Sequence, residues 1–170
     1  MQALLRDRPR QSALFGFRAD PPTTTSQRLK ALMTGGLPAF VEFGANFNSA
    51  AVAEDSLVQQ WGRAGRRLVM LGDDTWLKLF PGAFSLAFPF ASFDTRDLDS
   101  VDDGVLRLLL PLLRGELDPS AGVQGERGRR GGEEEGGWDV LVAHFLGVDH
   151  IGHTLHAHHP AMGRRLARMD

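Results

Sequence analysis

With 170 residues, 42% of them hydrophobic, and a formal net charge of −2, the chain can bury the core of one domain and has no charge excess to draw it to nucleic acid or an anionic membrane surface. It contains no cysteine, which excludes disulfides and thiolate metal sites and leaves Asp, Glu, His or hydroxyl oxygen to hold any metal. No stretch approaches the ~20 apolar residues that cross a bilayer, and the opening MQALLRDRPRQ lacks the apolar core of a secretory signal.

Residues 1–19 are basic and weakly patterned, and read as a frayed helix or a loose lead-in to a domain over 20–170. Pro21 and Pro22 force an extended approach. Thr23 to Ser26 offer capping hydroxyls to a helix whose Leu29, Leu32 and Met33 recur at helical spacing, and Gly35, Gly36 and Pro38 stop it. AVAEDSLVQQWGRAG (51–65) reads as an amphipathic helix with Val52, Leu57, Val58 and Trp61 inward, and RRLVMLG (66–72) as a short buried strand. DDTWLKLFPGAF (73–84) reads as a polar-aromatic loop leaving that strand, and SVDDGVLRLLLPLLRG (100–115) as a helix kinked or ended near Pro111. The glycine-rich, charged stretch 116–137 is predicted to be a disordered surface insertion. WDVLVAHFLG (138–147) is the strongest strand signal; its near-continuous apolar run suits a central parallel strand covered on both faces. Pro160 opens a last helix.

The pattern predicts an α/β fold with a mostly parallel sheet flanked by helices. Ligands of such folds gather outside the carboxyl ends of the strands. Three polar stretches qualify by position: Pro22–Ser26, Gly72–Trp76 and Gly147–His153. In the last, DHIGH places Asp149 and His153 four residues apart, and a carboxylate oxygen with an imidazole nitrogen makes two good zinc ligands where a catalytic zinc usually has three. His150, between them, is the weaker candidate, and a solvated polar loop is the plain alternative. In PPTTTS, a hydroxyl at a helix N-terminus meets backbone N–H groups and the positive end of the dipole, which favours an alkoxide or a bound phosphoryl group; an ordinary cap explains the same residues. In GDDTW, Asp73 and Asp74 suit a metal, a substrate amine or simple capping, while Trp76 and Phe80 suit an apolar substrate wall or the core.

DPPTTTSQRLKALMTGGLPAFVEFGANF, EDSLVQQ, GRRLVMLGDDTWLKLFPGAF, SFDTRDLDSVDDGVL, WDVLVAHFLGVDHIGH and HHPAMGRRLARMD, in this order, resemble the GPI ethanolamine phosphate transferases of the alkaline phosphatase superfamily. The resemblance runs from Asp20 to Asp170 outside the 116–137 insertion. It implies an alkaline-phosphatase-like sheet, of which this chain is an incomplete, central part, and two metal ions, usually zinc. It implies a threonine nucleophile, best matched by Thr25 with Thr24 and Thr23 as alternates, that also contacts a metal. Asp149 and His153 match ligands of one metal, and Asp73 and Asp74 are candidates for holding the substrate. Phosphatidylethanolamine would be the donor and a mannose hydroxyl of a GPI precursor the acceptor. Family members work in the endoplasmic reticulum lumen and carry membrane helices; the resemblance also implies a possible small stabilising membrane subunit. The pattern departs in places. The first metal-binding Asp of the family has no counterpart upstream of Thr25. The later Asp-His pair and last ligating His would lie beyond Asp170, and TLHAHHP replaces a Gly-Pro. A non-catalytic truncated remnant and a phosphodiesterase of the same superfamily are the competing expectations.

Overall fold

The computed structural model describes residues 2–18, 21, 23–37, 51–117, 122–124 and 137–169. The helical signals of the amino-terminal half become α1 (Gln2–Asp7), α2 (Thr25–Thr34) and α3 (Leu57–Arg63), followed by β1 (Leu68–Asp73) and α4 (Thr75–Leu79). β2 (Leu86–Phe90), α5 (Ser100–Leu113), β3 (Val123–Gln124), β4 (Val140–His144), α6 (Gly147–Leu155) and α7 (Pro160–Met169) complete the order. Pro22 and Pro38, read as shaping the ends of the second helix, lie outside the described residues. Gly35 ends α2 in the left-handed conformation, with φ of 70° and its N–H on the Ala31 carbonyl.

The strands form one sheet in the order β3-β2-β1-β4. β1 pairs in parallel with β2 on one side and β4 on the other; only the two-residue β3 is antiparallel. This is the expected open α/β arrangement. β1, buried at every position, is the central strand. Alternate β1 side chains feed two cores. Leu68 and Met70 meet Leu29 of α2, Val58 of α3 and Trp76 and Leu79 of α4. Val69 and Leu71 meet Phe88, together with Val105 and Leu112 of α5. Helices therefore cover both faces.

Three sequence expectations change. β4, read as a central strand covered on both faces, stands last in the strand order and is half-buried along its length. β2 gave no sequence signal because Pro89 interrupts it. The proline fits because, among the described residues, β3 pairs with β2 only at Leu86 and Ala87 and not at Pro89. The stretch 116–137 is not all surface insertion, since Val123 and Gln124 pair with β2; residues 118–121 and 125–136, where disorder was predicted, lie outside the described residues. Pro111 sits inside α5 without ending it.

Gly72 of β1 pairs with His144 of β4. Gly72 has φ of 129°, and a Cβ there would collide with the His144 carbonyl oxygen. Gly82 also has a positive φ, 67°, but open space around it. Gly72→Ala is expected to lower stability by about 3 kcal/mol, from strain plus strand separation, and Gly82→Ala by about 1 kcal/mol from strain alone. Urea midpoints of the two variants check the difference.

Candidate active site at the carboxyl rim of the sheet

Two strand ends and the helices that follow them build the rim. At the end of β1, Asp73 is buried, with 1% of its surface exposed. One of its oxygens accepts the Thr75 backbone N–H at 2.7 Å, opening α4. The other, Oδ2, is buried without a hydrogen-bond partner. Asp74 stands at the N-cap of α4 yet makes no cap bond. Its carboxylate instead accepts the Ser92 hydroxyl at 2.8 Å and the Lys78 ammonium at 3.0 Å, tying the loop after β2 to α4. One of the two aspartates thus keeps an uncommitted oxygen at the rim, and the other is occupied at both.

At the end of β4 stands His144, beside Gly72 in register. Its Nδ1 accepts the Trp76 indole N–H at 3.1 Å, and the two rings meet edge to face, 6.2 Å apart. Burial holds the imidazole below its ordinary pKa of 6.5, against an opposing pull from Asp73, Asp149 and Asp102. The carboxylates of β1, α5 and α6 therefore act on one ring. Sequence reading passed over His144, the only histidine outside the 150–159 group. The available signal was one titratable side chain at the end of an otherwise apolar strand.

The segment 147–153, weighed as a solvated loop, is the start of α6. The helix begins without a cap of its own, because Leu146 has no side-chain donor or acceptor. Asp102 of α5 supplies it: Oδ1 accepts the Leu146 N–H at 2.7 Å and the Gly147 N–H at 2.9 Å. Asp102 is fully buried, and its other oxygen lies 3.4 Å from Arg165 of α7, which also pairs with Asp99. A side chain at Gly147 would strike the Asp102 carboxylate at 2.5 Å. Glycine is required at this cap for closeness rather than for backbone freedom.

Helical spacing then sorts the histidines. Asp149 and His153 fall on one exposed face, with Oδ2 and Nε2 3.5 Å apart. His150 turns inward, 3% exposed, its Nδ1 2.6 Å from the Asp97 carbonyl. That ring nitrogen must donate, since a carbonyl only accepts. His156, His158 and His159 are exposed in the turn before α7. The exposed pair supplies an oxygen and a nitrogen suited to zinc, but among the described residues no three His, Asp or Glu side chains gather closely enough to hold a metal ion.

Thr25 is the first residue of α2, and Thr24 is its N-cap. The Thr24 side chain makes no cap hydrogen bond to the helix. Thr25 is half-buried, and Thr23 is exposed. α2 packs on α4, whose first turn leaves the Asp73 end of β1. Asp149 and His153 pair with each other, and among the described residues no hydrogen bond or ion pair joins either to Thr25.

No protein-family model and no solved structure matches the chain. Sequence relatives do. All 170 residues align, at 50% identity, with GPI ethanolamine phosphate transferase 3, catalytic subunit, of Mus musculus and, at 49%, with that of Homo sapiens; in each case they cover 14% of the relative. The chain is 41% identical to human GPI ethanolamine phosphate transferase 2, catalytic subunit, over 92% of its own length and 14% of that protein. The chain is thus similar to the GPI ethanolamine phosphate transferases over a segment of those proteins. The chain spans about one seventh of the length of those relatives.

The folded protein keeps His144 neutral where the unfolded chain would protonate it. Its contribution to stability is full above pH 6.5 and is lost as the pH falls through the depressed folded value. Urea midpoints measured from pH 7 to pH 5 are expected to fall less steeply in His144→Phe than in the parent chain.

Proposed function

We propose that the chain forms part of the catalytic centre of an enzyme that moves phosphoethanolamine from phosphatidylethanolamine to a mannose hydroxyl of a GPI precursor. The observation that carries this reading is similarity along all 170 residues to transferases of that name. The geometry supports roles for individual residues. The Thr25 hydroxyl lies at the N-terminus of a ten-residue helix, where backbone N–H groups and the dipole favour an alkoxide and an anionic phosphoryl group. Thr25 Oγ1 attacks phosphorus, the bond from phosphorus to the diacylglycerol oxygen breaks, and that oxygen leaves with a proton. The mannose hydroxyl then attacks the phosphothreonine, gives up its proton and restores the Thr25 hydroxyl.

Asp149 and His153, with the Thr25 hydroxyl, would hold zinc, the further ligands coming from outside the described residues. When bound, the metal supplies charge neutralisation at the phosphoryl group and a lowered hydroxyl pKa. Asp73 accepts from the substrate ammonium once substrate binding uncovers its Oδ2, which is buried without a partner among the described residues. Asp74 holds the adjoining loop against α4 through Ser92 and Lys78. In this reading the reaction runs in the endoplasmic reticulum lumen. Membrane attachment and a small stabilising membrane subunit belong to the same reading; no helix among the described residues is long and apolar enough to cross a membrane.

The test is a chimera in which this chain replaces its 170-residue counterpart in the human third transferase. Mass spectrometry is expected to find a zinc-dependent phosphoethanolamine adduct on the peptide containing Thr25, and transfer to mannosides is expected to fall by about a thousand-fold or more in Thr25→Ala. An adduct unchanged in Thr25→Ala would move the role to Thr24 or Thr23. Transfer to water in preference to mannosides would identify a phosphodiesterase, and the absence of any adduct a non-catalytic segment.

A further inference from the structure

His144 is the one titratable side chain at the rim to which the transfer steps give no task. Its hydrogen bonding defines what it can do. An indole N–H only donates, so the Trp76 contact at 3.1 Å requires a lone pair on His144 Nδ1. In a neutral imidazole the proton then sits on Nε2. That nitrogen has no hydrogen-bond partner among the described residues and is not one of the fully buried unpaired atoms. A ring locked in this tautomer has no lone pair left for a metal. What it presents to the rim is a single N–H donor.

Packing fixes the direction of that donor. Trp76 is 4% exposed and wedged against Phe80 and Phe84, with ring centroids 5.8 and 6.1 Å away. The His144 backbone is paired to Gly72 with no room for a Cβ between the strands. The donor is therefore held from two sides, by strand register and by the indole.

We propose that His144 donates its Nε2–H to an anionic phosphoryl oxygen bound at the carboxyl rim, and that Trp76 is the positioning residue that selects this tautomer. A neutral donor suits the place, because it offers a hydrogen bond to the phosphoryl group without a cation that would compete for the neighbouring Asp73 and Asp149 carboxylates. Burial of the ring supports neutrality at pH 7. The phosphoryl group could be part of a lipid headgroup or of a free phosphomonoester; the chemistry recognised is the same. The identity of that group rests on the proposed transferase reading, whereas the tautomer does not.

The experiment is nitrogen-15 NMR of the histidine-labelled chain, with His144 assigned by loss of its signal in His144→Gln. At pH 7 the expected spectrum shows a neutral His144 ring with hydrogen on Nε2 and a hydrogen-bonded Nδ1. Trp76→Phe keeps the aromatic bulk and removes the donor, and is expected to give a mixture of tautomers; circular dichroism confirms that the variant is folded. Zinc with free phosphoethanolamine in one arm, and vesicles of phosphatidylethanolamine in phosphatidylcholine against phosphatidylcholine alone in another, are expected to shift the Nε2–H resonance and so to report which source binds. Hydrogen on Nδ1, a charged ring, or an unchanged tautomer in folded Trp76→Phe would overturn the assignment even if the Thr25 adduct forms. The expected tautomer with no shift in any phosphoryl arm would overturn the donor role. Absence of the Thr25 adduct, with tautomer and shift as expected, would leave a phosphoryl-binding rim and remove only the transferase.

Discussion

The close approach of β1 and β4 at Gly72 is the contact on which the rim depends. Parallel pairing alone would bring the two strands side by side. Only the missing side chain at position 72, in a backbone conformation that other residues resist, lets the His144 carbonyl come so near. Asp73 follows on one strand and the His144 ring stands on the other, so an acceptor and a donor meet at the same edge. Trp76 then closes the arrangement from α4, spending its indole N–H on the histidine while its rings complete the core beneath. One glycine thereby couples the strand register to the chemistry above it.

A second constraint places the DHIGH segment. α6 lacks a capping residue of its own, and the buried Asp102 carboxylate reaches across from α5 to accept its first N–H groups. That carboxylate would be costly to bury alone, and Arg165 of α7 stands against it. Three helices are thus joined by one charge pair near the carboxyl ends of the strands. Once α6 is anchored there, helical geometry settles the rest: Asp149 and His153 share the outer face while His150 goes to the interior. A loop carrying the same residues would impose no such sorting. The two constraints differ in kind. The strand contact is steric and unforgiving of a single methyl group, whereas the cap is electrostatic and held by groups distant in sequence.

How much of this was legible beforehand follows from the range of each interaction. The apolar run LVMLGD announced β1, and helical spacing announced α2 and α5, because burial on one face leaves its period in the sequence. β2 was illegible because Pro89 contradicts a strand locally and is tolerated only through the shortness of β3. α6 was illegible as a helix because its cap comes from Asp102, 44 residues away from Leu146. β4 looked central from its composition, yet composition cannot say which neighbours pair beside it. The shared helical face of Asp149 and His153 follows from their four-residue spacing, while His144 acquires meaning only beside Trp76.

The amino-acid sequence by itself determined the open α/β class, the parallel strands and the three polar stretches that follow or precede apolar elements, since these rest on local periodicity and turn residues. Its motifs also determined the likeness to GPI ethanolamine phosphate transferases. Tertiary structure alone decided that Asp73 keeps a buried oxygen without a partner among the described residues while Asp74 is engaged at both, that His144 Nδ1 accepts the Trp76 indole N–H, and that His150 is withdrawn from the Asp149–His153 face. The physical reason is the same in each case: protonation, tautomer and availability depend on what stands within a hydrogen bond's reach, and those neighbours come from distant parts of the chain.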